Sequence, residues 1–448
     1  MSILIKLPHI IEEGKKQCEA ILKTSSAPFH LVEGFQEEDQ QDGNQGVIVN
    51  GDNLQFMASL LAQGEKLDLI YIDPPFFSKS NYGNAIKVKA KDSEKAQVIT
   101  QNAYRDTWDG GLEGYLSMLT PRLYLMKALL KDTGTLWVHL DWHASHYVKI
   151  LLDEIFGEEQ FINEVIWNYK SGGASKKRFG RKHDTLLFYG KSKHYYFKPQ
   201  QEKSYNRGMK PYRFKGVEEF QDPLGWYTMV NMKDVWQIDM VGRTSAERTG
   251  YATQKPESLI ERILTSCTKE GDVCADFFAG SGTMAAVAQK MNRNWIACDI
   301  GGLSTLKTMQ RIVKNRGNCQ LLREKTDCGG VLDVRIEVVG QGHVGREMDV
   351  KVTLCSYRIK NMESLALDEK DRIQTQAVLE TDSLQLIEYW SVDFQYDGIC
   401  FKPQQRFAKE KGELLLYGTQ AGSCFKKIAI GGMDSFGNSF FTVVTTKE

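Results

Sequence analysis

The sequence predicts an α/β protein with a doubly wound, largely parallel sheet, interrupted by one insert and followed by a mainly β domain. Three observations predict it. Short apolar runs alternate with amphipathic stretches at crossover spacing over 46–169 and again over 251–325. Two of these runs end in turns that fix or free the backbone, Asp73-Pro74-Pro75-Phe76 and Gly280-Ser281-Gly282. From about 330 the texture changes to strand-length alternating runs.

Residues 1–45 hold one amphipathic helix, roughly Ile10 to Leu22, and an acidic, Gln-rich linker over 32–46. "GVIVNGD" is a short buried strand ending at Asp52, and "NLQFMASLLAQGE" is a helix closed by Gly64. "KLDLIYID" is the next strand. The polar stretch 77–111 has little periodicity and reads as a mobile loop. "GYLSMLTPRLYLMKALLKDTG" is a helix stopped at Gly134, with Pro121 kinking it or starting part of it. "TLWVHLD" is a strand, "ASHYVKILLDEIFG" a helix and "FINEVIWNY" a strand. Residues 170–250 break the pattern. It resumes with "PESLIERILTSCT" as helix, "DVCADFFAGSG" as strand and turn, "TMAAVAQKMN" as helix, "RNWIACDI" as strand and "LSTLKTMQRIVKN" as helix. The runs "VLDVRIEVVG", "MDVKVTLCSYRI", "LQLIEYWSVDF", "GICFKP", "GELLLYG" and "FFTVVTT" read as a sandwich-like β domain over 330–448.

Bulk properties narrow the class. A chain of 448 residues exceeds one ordinary core. No apolar run has the length of a membrane span and no signal-peptide pattern opens the chain, so no membrane partner is expected. Nine cysteines are scattered without a C-x-x-C pair, which predicts reduced thiols in the cytoplasm rather than a disulfide framework or zinc ribbon. Formal net charge is zero, so any nucleic-acid footprint must be local.

The glycine turn lies between an apolar strand and a small-residue helix, where the backbone can approach a ligand closely and a helix N-terminus can face negative charge. Asp299 ends the following strand, placed for ribose hydroxyls. This is a Rossmann-like site for an adenosine-type cofactor. A nicotinamide oxidoreductase is the rival reading; position 285 is alanine where the dinucleotide fingerprint carries glycine or alanine.

At the other turn, two prolines fix φ and can leave a carbonyl unpaired beside Asp73. A carboxylate and a fixed carbonyl suit a planar amino group with two N–H donors, and Phe76 offers a face to a base. Residues 170–215 carry fourteen Lys and Arg against Asp184 and Glu202, with aromatics interleaved, a local footprint for phosphate contacts. "HLDWHASH" brings His139, Asp141, His143 and His146 together in sequence. His139 falls on a strand and His146 on a helix, so no metal site is expected.

Taken together, D-P-P-F at 73–76, F-A-G-S-G at 278–282, "TQKPESLIERIL" at 253–264 and "NGDN" at 50–53 resemble the motifs of the DNA amino-methyltransferases. Their order resembles the β group, a circular permutation with the target-recognition region between the two turns. The resemblance covers about 46–312. It implies a first catalytic part at 46–169, a target-recognition insert at 170–250, a second catalytic part at 251–325 and an accessory β domain at 330–448. It implies S-adenosylmethionine as cofactor, with Asp52, Lys255, Asp276, Phe278, Gly280, Ser281, Gly282 and Asp299 around it. Lys255 would lie near the methionine carboxylate and Asp52 near the adenine amino group. Asp73 and the Pro74 carbonyl would hold the target amine, Pro75 would stiffen the turn and Phe76 would stack on the base. The substrate implied is double-stranded DNA with a flipped base, and Asp at the first turn position implies adenine N6. Cytosine N4 methylation and a catalytically silent specificity subunit are the alternatives. A homodimer and a separately encoded restriction enzyme are partners the resemblance allows.

Overall fold

The computed structural model describes residues 2–24, 29–35, 45–88, 97–171, 176–325, 327–339, 348–422 and 425–446. Through the first half the elements are α1 (Ile3–Thr24), β1 (His30–Phe35), β2 (Gly46–Asn50), α2 (Asn53–Ala62), β3 (Leu67–Ile72), β4 (Asn81–Val88), β5 (Gln97–Arg105), α3 (Leu112–Leu129), β6 (Leu130–Leu140), α4 (Ser145–Phe156) and β7 (Phe161–Asn168). Next come β8 (His183–Gly190), β9 (Gln201–Tyr205), β10 (Phe220–Asp222), β11 (Gly225–Asn231), β12 (Val235–Gln237), α5 (Glu257–Cys267), β13 (Val273–Asp276), α6 (Thr283–Lys290), β14 (Asn294–Asp299), α7 (Gly302–Lys314) and β15 (Cys319–Arg323). The C-terminal unit holds β16 (Gly330–Val339), β17 (Met348–Ile359), α8 (Glu369–Asp382), β18 (Ile387–Asp393), β19 (Gln405–Ala408), β20 (Tyr417–Gly422), β21 (Lys427–Asp434) and β22 (Ser439–Thr445).

Ten strands form one sheet in the order β1-β15-β2-β14-β13-β3-β6-β8-β7-β12. The run from β15 to β6 is parallel throughout. A parallel strand covered on both faces must be apolar at successive positions. In β3, Leu69, Ile70, Tyr71 and Ile72 are all 2% exposed or less. Ile70 and Ile72 pack with α1 to α4 on one face, whereas Leu69 and Tyr71 pack with α5 to α7 on the other. Full burial of one such aliphatic side chain contributes roughly 1.5–3 kcal/mol. An acid at Ile70 would put an unpaired charge under the α3 layer.

Strands β13 and β3 are neighbours, with Cys274 opposite Leu69 and Ala275 opposite Ile70. The chain leaves β13 toward α6 on one face and leaves β3 toward α3 on the other. That divergence opens a crevice at the carboxyl ends of the two strands, where open α/β sheets bind ligands.

The structure departs from the sequence expectations in several places. The polar stretch 77–111 is not a loop: β4 and β5 form an antiparallel hairpin across it. The start of the expected linker belongs to β1, an edge strand antiparallel to β15; residues 36–44 lie outside the described residues, as do 89–96 and Cys424. Within 170–250, β8 is part of the main sheet, antiparallel to β6 and β7, and β12 extends the same sheet beside β7. The strands of this stretch that stand apart are β10, β11 and β9, which form a three-stranded sheet. Finally, α3 runs unbroken through Pro121. After 330, the sheets β16-β17-β20 and β19-β18-β21-β22 share one core. Helix α8, absent from the sequence reading, begins with Asp368 accepting the Asp371 N–H at 2.7 Å.

Candidate active site

Five neighbouring parallel strands, β2, β14, β13, β3 and β6, end at or just before an acid: Asp52, Asp299, Asp276, Asp73 and Asp141. A cavity of about 520 Å³ runs across the first four strand ends. Of the twelve site residues expected from sequence, all except Gly282 line it.

On the glycine side, the turn is tied to its neighbouring strand. Asp299 accepts the Gly280 N–H through Oδ2 at 2.9 Å and the Gly301 N–H through Oδ1 at 2.8 Å. Burial pushes its carboxyl up, and those two amides pull it back. Asp276 accepts the Phe278 N–H at 2.9 Å; burial holds its carboxyl well above the usual carboxylate range. Gly282 does not line the cavity but faces α7. Its φ is +70°, and a Cβ there would lie 2.5 Å from Thr308 Oγ1 on α7, so glycine lets α6 start hard against α7. Ser281 Oγ lies 3.0 Å from Thr283 Oγ1 at that helix start.

Asp52 is partly committed to structure. Its Oδ1 caps α2 through the Leu54 N–H at 2.9 Å and takes the Arg122 guanidinium at 3.0 Å. Arg122 also donates to Asn53 Oδ1 at 2.6 Å. Burial draws the Arg122 pKa down while Asp52 raises it.

On the acid-proline side, Asp73 Oδ2 pairs with Lys255 Nζ at 2.5 Å. The same ammonium lies 4.9 Å from the Phe76 ring centroid. The resemblance puts Lys255 at the methionine carboxylate; here its head group occupies the acid and aromatic face of the other turn. Asp73 Oδ1 is buried without a hydrogen-bond partner. Behind the turn, Tyr71 Oη contacts His139 Nδ1 at 2.9 Å, His139 Nε2 contacts Asp184 Oδ2 at 3.1 Å and Tyr169 donates to Asp184 Oδ1 at 3.0 Å. This network absorbs His139. His143 pairs with Asp141 at 2.6 Å. Among the described residues, no cluster of three His, Cys, Asp or Glu is placed to hold a metal.

The expected set missed Arg122, Asp106, Trp108 and Tyr251, all but Asp106 of which line the cavity. Arg122 reads as an ordinary polar position of a helix, and no motif marks Asp106. Just past the end of β6, the Arg181 guanidinium stacks 3.4 Å over the Trp142 ring, which lies 3.6 Å from His143. Phe179, between Arg178 and Arg181, is 98% exposed.

Comparison with known proteins gives concordant results. The family model N6_N4_Mtase, DNA methylase, matches residues 67–302, more than half of the chain. The type II methyltransferase M.ScaI of Streptomyces caespitosus is 35% identical over 260 residues, spanning 57% of this chain and 76% of that protein. The type II methyltransferase M2.DpnII of Streptococcus pneumoniae is 26% identical over 270 residues, spanning 57% of this chain and 85% of that protein. The M1.HpyAVI–SAM complex aligns with 60% of this chain and 98% of its own at 17% identity, with a TM-score of 0.39.

Proposed function

This chain belongs to the DNA methylase family, and from that premise we propose that it methylates the N6 amino group of adenine at specific sites in double-stranded DNA. The observation that carries the amine chemistry is Asp73 Oδ1. Among the described buried side-chain atoms, it is the one carboxylate oxygen without a partner. Leaving such an acceptor unpaired costs roughly 1–3 kcal/mol, a cost that an incoming N–H removes. Oδ2 is held by a lysine on a flexible stem, which an amine can displace.

An exocyclic base nitrogen is a weak nucleophile because its lone pair is delocalised into the ring. Acceptors that pull on its hydrogens favour a more tetrahedral nitrogen, and fixed acceptors do so without reorganisation. Asp73 and the Pro74 carbonyl take that role, and the two prolines keep them still. Phe76 stacks on the base, which must leave the duplex to reach this depth. The Lys255 ammonium withdraws as the amine arrives.

S-adenosylmethionine supplies the methyl group from its sulfonium centre. The residues present fit that group. Asp299 and Asp52 offer carboxylate oxygens at the ends of β14 and β2, and Gly280, with φ of +51°, turns its backbone into the cavity they line. Ser281 and Thr283 bring hydroxyls to the start of α6.

The basic, aromatic-rich stretch that follows β7 supports a phosphate-contacting role. Its Arg181 is anchored on Trp142, just past the end of β6, and Phe179 is exposed to a partner. The β10-β11-β9 sheet is the part we assign to target recognition. The choice of adenine rests on the family's use of Asp at the first position of the D-P-P-F turn. The test is methyl transfer to DNA from a methylation-free host, followed by nucleoside mass spectrometry. N6-methyladenine is expected; N4-methylcytosine alone would overturn the choice of base, and no transfer at all would favour a silent specificity subunit.

A further inference from the structure

Residues 77 to 106 leave the Asp73–Phe76 turn, cross to the C-terminal unit and return. Two residues of the turn's continuation, Phe77 and Lys79, have φ of 63° and 60°. Each left-handed non-glycine residue costs roughly 1–2 kcal/mol, so this backbone persists only because something holds it. The holder is Asp106. Its carboxylate accepts the N–H groups of Phe76 at 3.1 Å, Phe77 at 2.9 Å and Ser78 at 2.7 Å, together with the Trp108 indole N–H at 3.1 Å. Asp106 is 1% exposed. Its backbone closes the same loop: Lys79 N–H donates to its carbonyl and its own N–H donates to Ser80, both at 3.1 Å.

Asp106 directly follows β5, and the hairpin is not free to drift. Ile86, Val88 and Ile99 are 5%, 1% and 0% exposed and belong to the core of the C-terminal unit, with Val350, Trp390 and Phe436. The Thr100 N–H donates to Asp371 Oδ2 on α8 at 3.0 Å, and Gln101 Nε2 donates to the Phe436 carbonyl at 3.0 Å. The turn that contains Phe436 also backs onto α7: a Cβ at Gly302 would fall 2.4 Å from the Gly437 carbonyl oxygen. One C-terminal loop therefore braces the segment after Asp299 and the hairpin after Phe76.

We infer that Asp106 is a positioning residue of the base-holding turn, and that the C-terminal β unit fixes its place through the β4–β5 hairpin. The inference rests on the proposed methyl transfer. It gives the C-terminal unit a part in catalysis: it sets the geometry of Phe76, and with it the face presented to the flipped base.

The experiment uses the full chain, with Asp106→Asn and Asp371→Ala as variants. Asparagine keeps the size of Asp106 but offers one acceptor oxygen and turns an amide N–H toward backbone donors. Three readouts are combined: single-turnover methyl transfer to methylation-free genomic DNA, S-adenosylmethionine affinity, and amide hydrogen exchange across 74–80. For Asp106→Asn, transfer slows about 100-fold, the penalty of roughly 1 Å of misplacement at a reacting centre. Cofactor affinity stays within about twofold, because the glycine side is untouched. For Asp371→Ala, transfer slows roughly 2- to 30-fold, the range of coupling through packed elements. Both variants exchange faster over 74–80. Full-rate transfer by Asp106→Asn, or a loss matched by weaker cofactor binding, overturns the positioning role. Unchanged exchange over 74–80 in Asp371→Ala overturns the link to the C-terminal unit. A wild-type chain that transfers no methyl group overturns the function instead, and the exchange measurements still decide the coupling.

Discussion

Asp73→Ala separates two jobs of one carboxylate, holding the target amine and balancing Lys255. The Lys255 side chain is 9% exposed and that of Asp73 is 19% exposed, so deleting the acid strands a cation that water reaches poorly. Breaking a buried pair by removing one partner costs about 3–5 kcal/mol. The lower end applies, because the lysine stem can carry its ammonium toward the open cavity. About 3 kcal/mol corresponds to a melting temperature lower by roughly 3 °C for 448 residues unfolding together, at about 2.1 cal/mol/K of unfolding entropy per residue. Asp73→Ala/Lys255→Met removes both charges and should recover most of that stability. Activity should not follow. Removing one preorganised contact to the reacting group costs about 10²- to 10³-fold in rate, and the double variant should remain as slow as the single one. Thermal unfolding and single-turnover methyl transfer with labelled S-adenosylmethionine measure the two effects side by side. A double variant whose rate returns to within about tenfold of wild type would refute the reasoning, since the rate loss would then belong to the stranded lysine and not to the missing acceptor.

Phe76→Ala should weaken binding of the flipped base by roughly 5- to 150-fold, the worth of one base–aromatic stack, while cofactor affinity holds; equilibrium binding to a duplex mismatched at the target base checks this. Gly282→Ala places a Cβ 2.5 Å from Thr308 Oγ1 and 2.9 Å from Thr308 Cα at φ of +70°. The α6–α7 contact must open, and thermal unfolding should register a stability loss of at least roughly 1–2 kcal/mol from backbone strain alone; unchanged stability would refute the tight α6–α7 approach. Asp434 supplies a pH test of the C-terminal unit. Burial raises its carboxyl from 3.8 to about 6, against the pull of bonds from Asn438, Tyr357 and Phe436. The folded state thus binds this proton more tightly than the unfolded chain, so its contribution is complete below about pH 4 and is lost as pH rises through 6, a change of about 3 kcal/mol. Asp434→Asn removes that dependence, and its melting temperature relative to wild type should climb between pH 4 and pH 7; a constant difference would refute the assignment.

The crevice was legible because its two turns announce themselves locally. A strand buried on both faces, as β3 is by Leu69 to Ile72, leaves a run no helix face matches, and proline or glycine at its end marks the turn. The hairpin was not legible for a converse reason. Ile86, Val88 and Ile99 are spaced among polar residues, and the core that buries them lies more than two hundred residues later, in the C-terminal unit. Strand β8 was hidden because it enters a parallel sheet antiparallel, without the crossover helix that would have flagged it.

The acids at the strand ends show the deeper limit. In the sequence, Asp52, Asp73, Asp276 and Asp299 each close an apolar run, and only the residues that follow, two prolines after Asp73 and the glycine turn after Asp276, set them apart. Hydrogen bonding ranks them. Asp299 spends both oxygens on the Gly280 and Gly301 amides, Asp276 accepts from Phe278, and Asp52 caps α2 and holds Arg122. These carboxylates shape the crevice first and meet a ligand with what lone pairs remain. Asp73 alone of the four keeps a buried oxygen unpaired and gives the other to a displaceable ammonium. A rigid turn that keeps one buried acceptor open is poised to take donors from outside the chain. The same reasoning makes Asp106 the complement of Asp73: by taking three backbone N–H groups and an indole N–H, it keeps the turn rigid enough for the open acceptor to stay aimed.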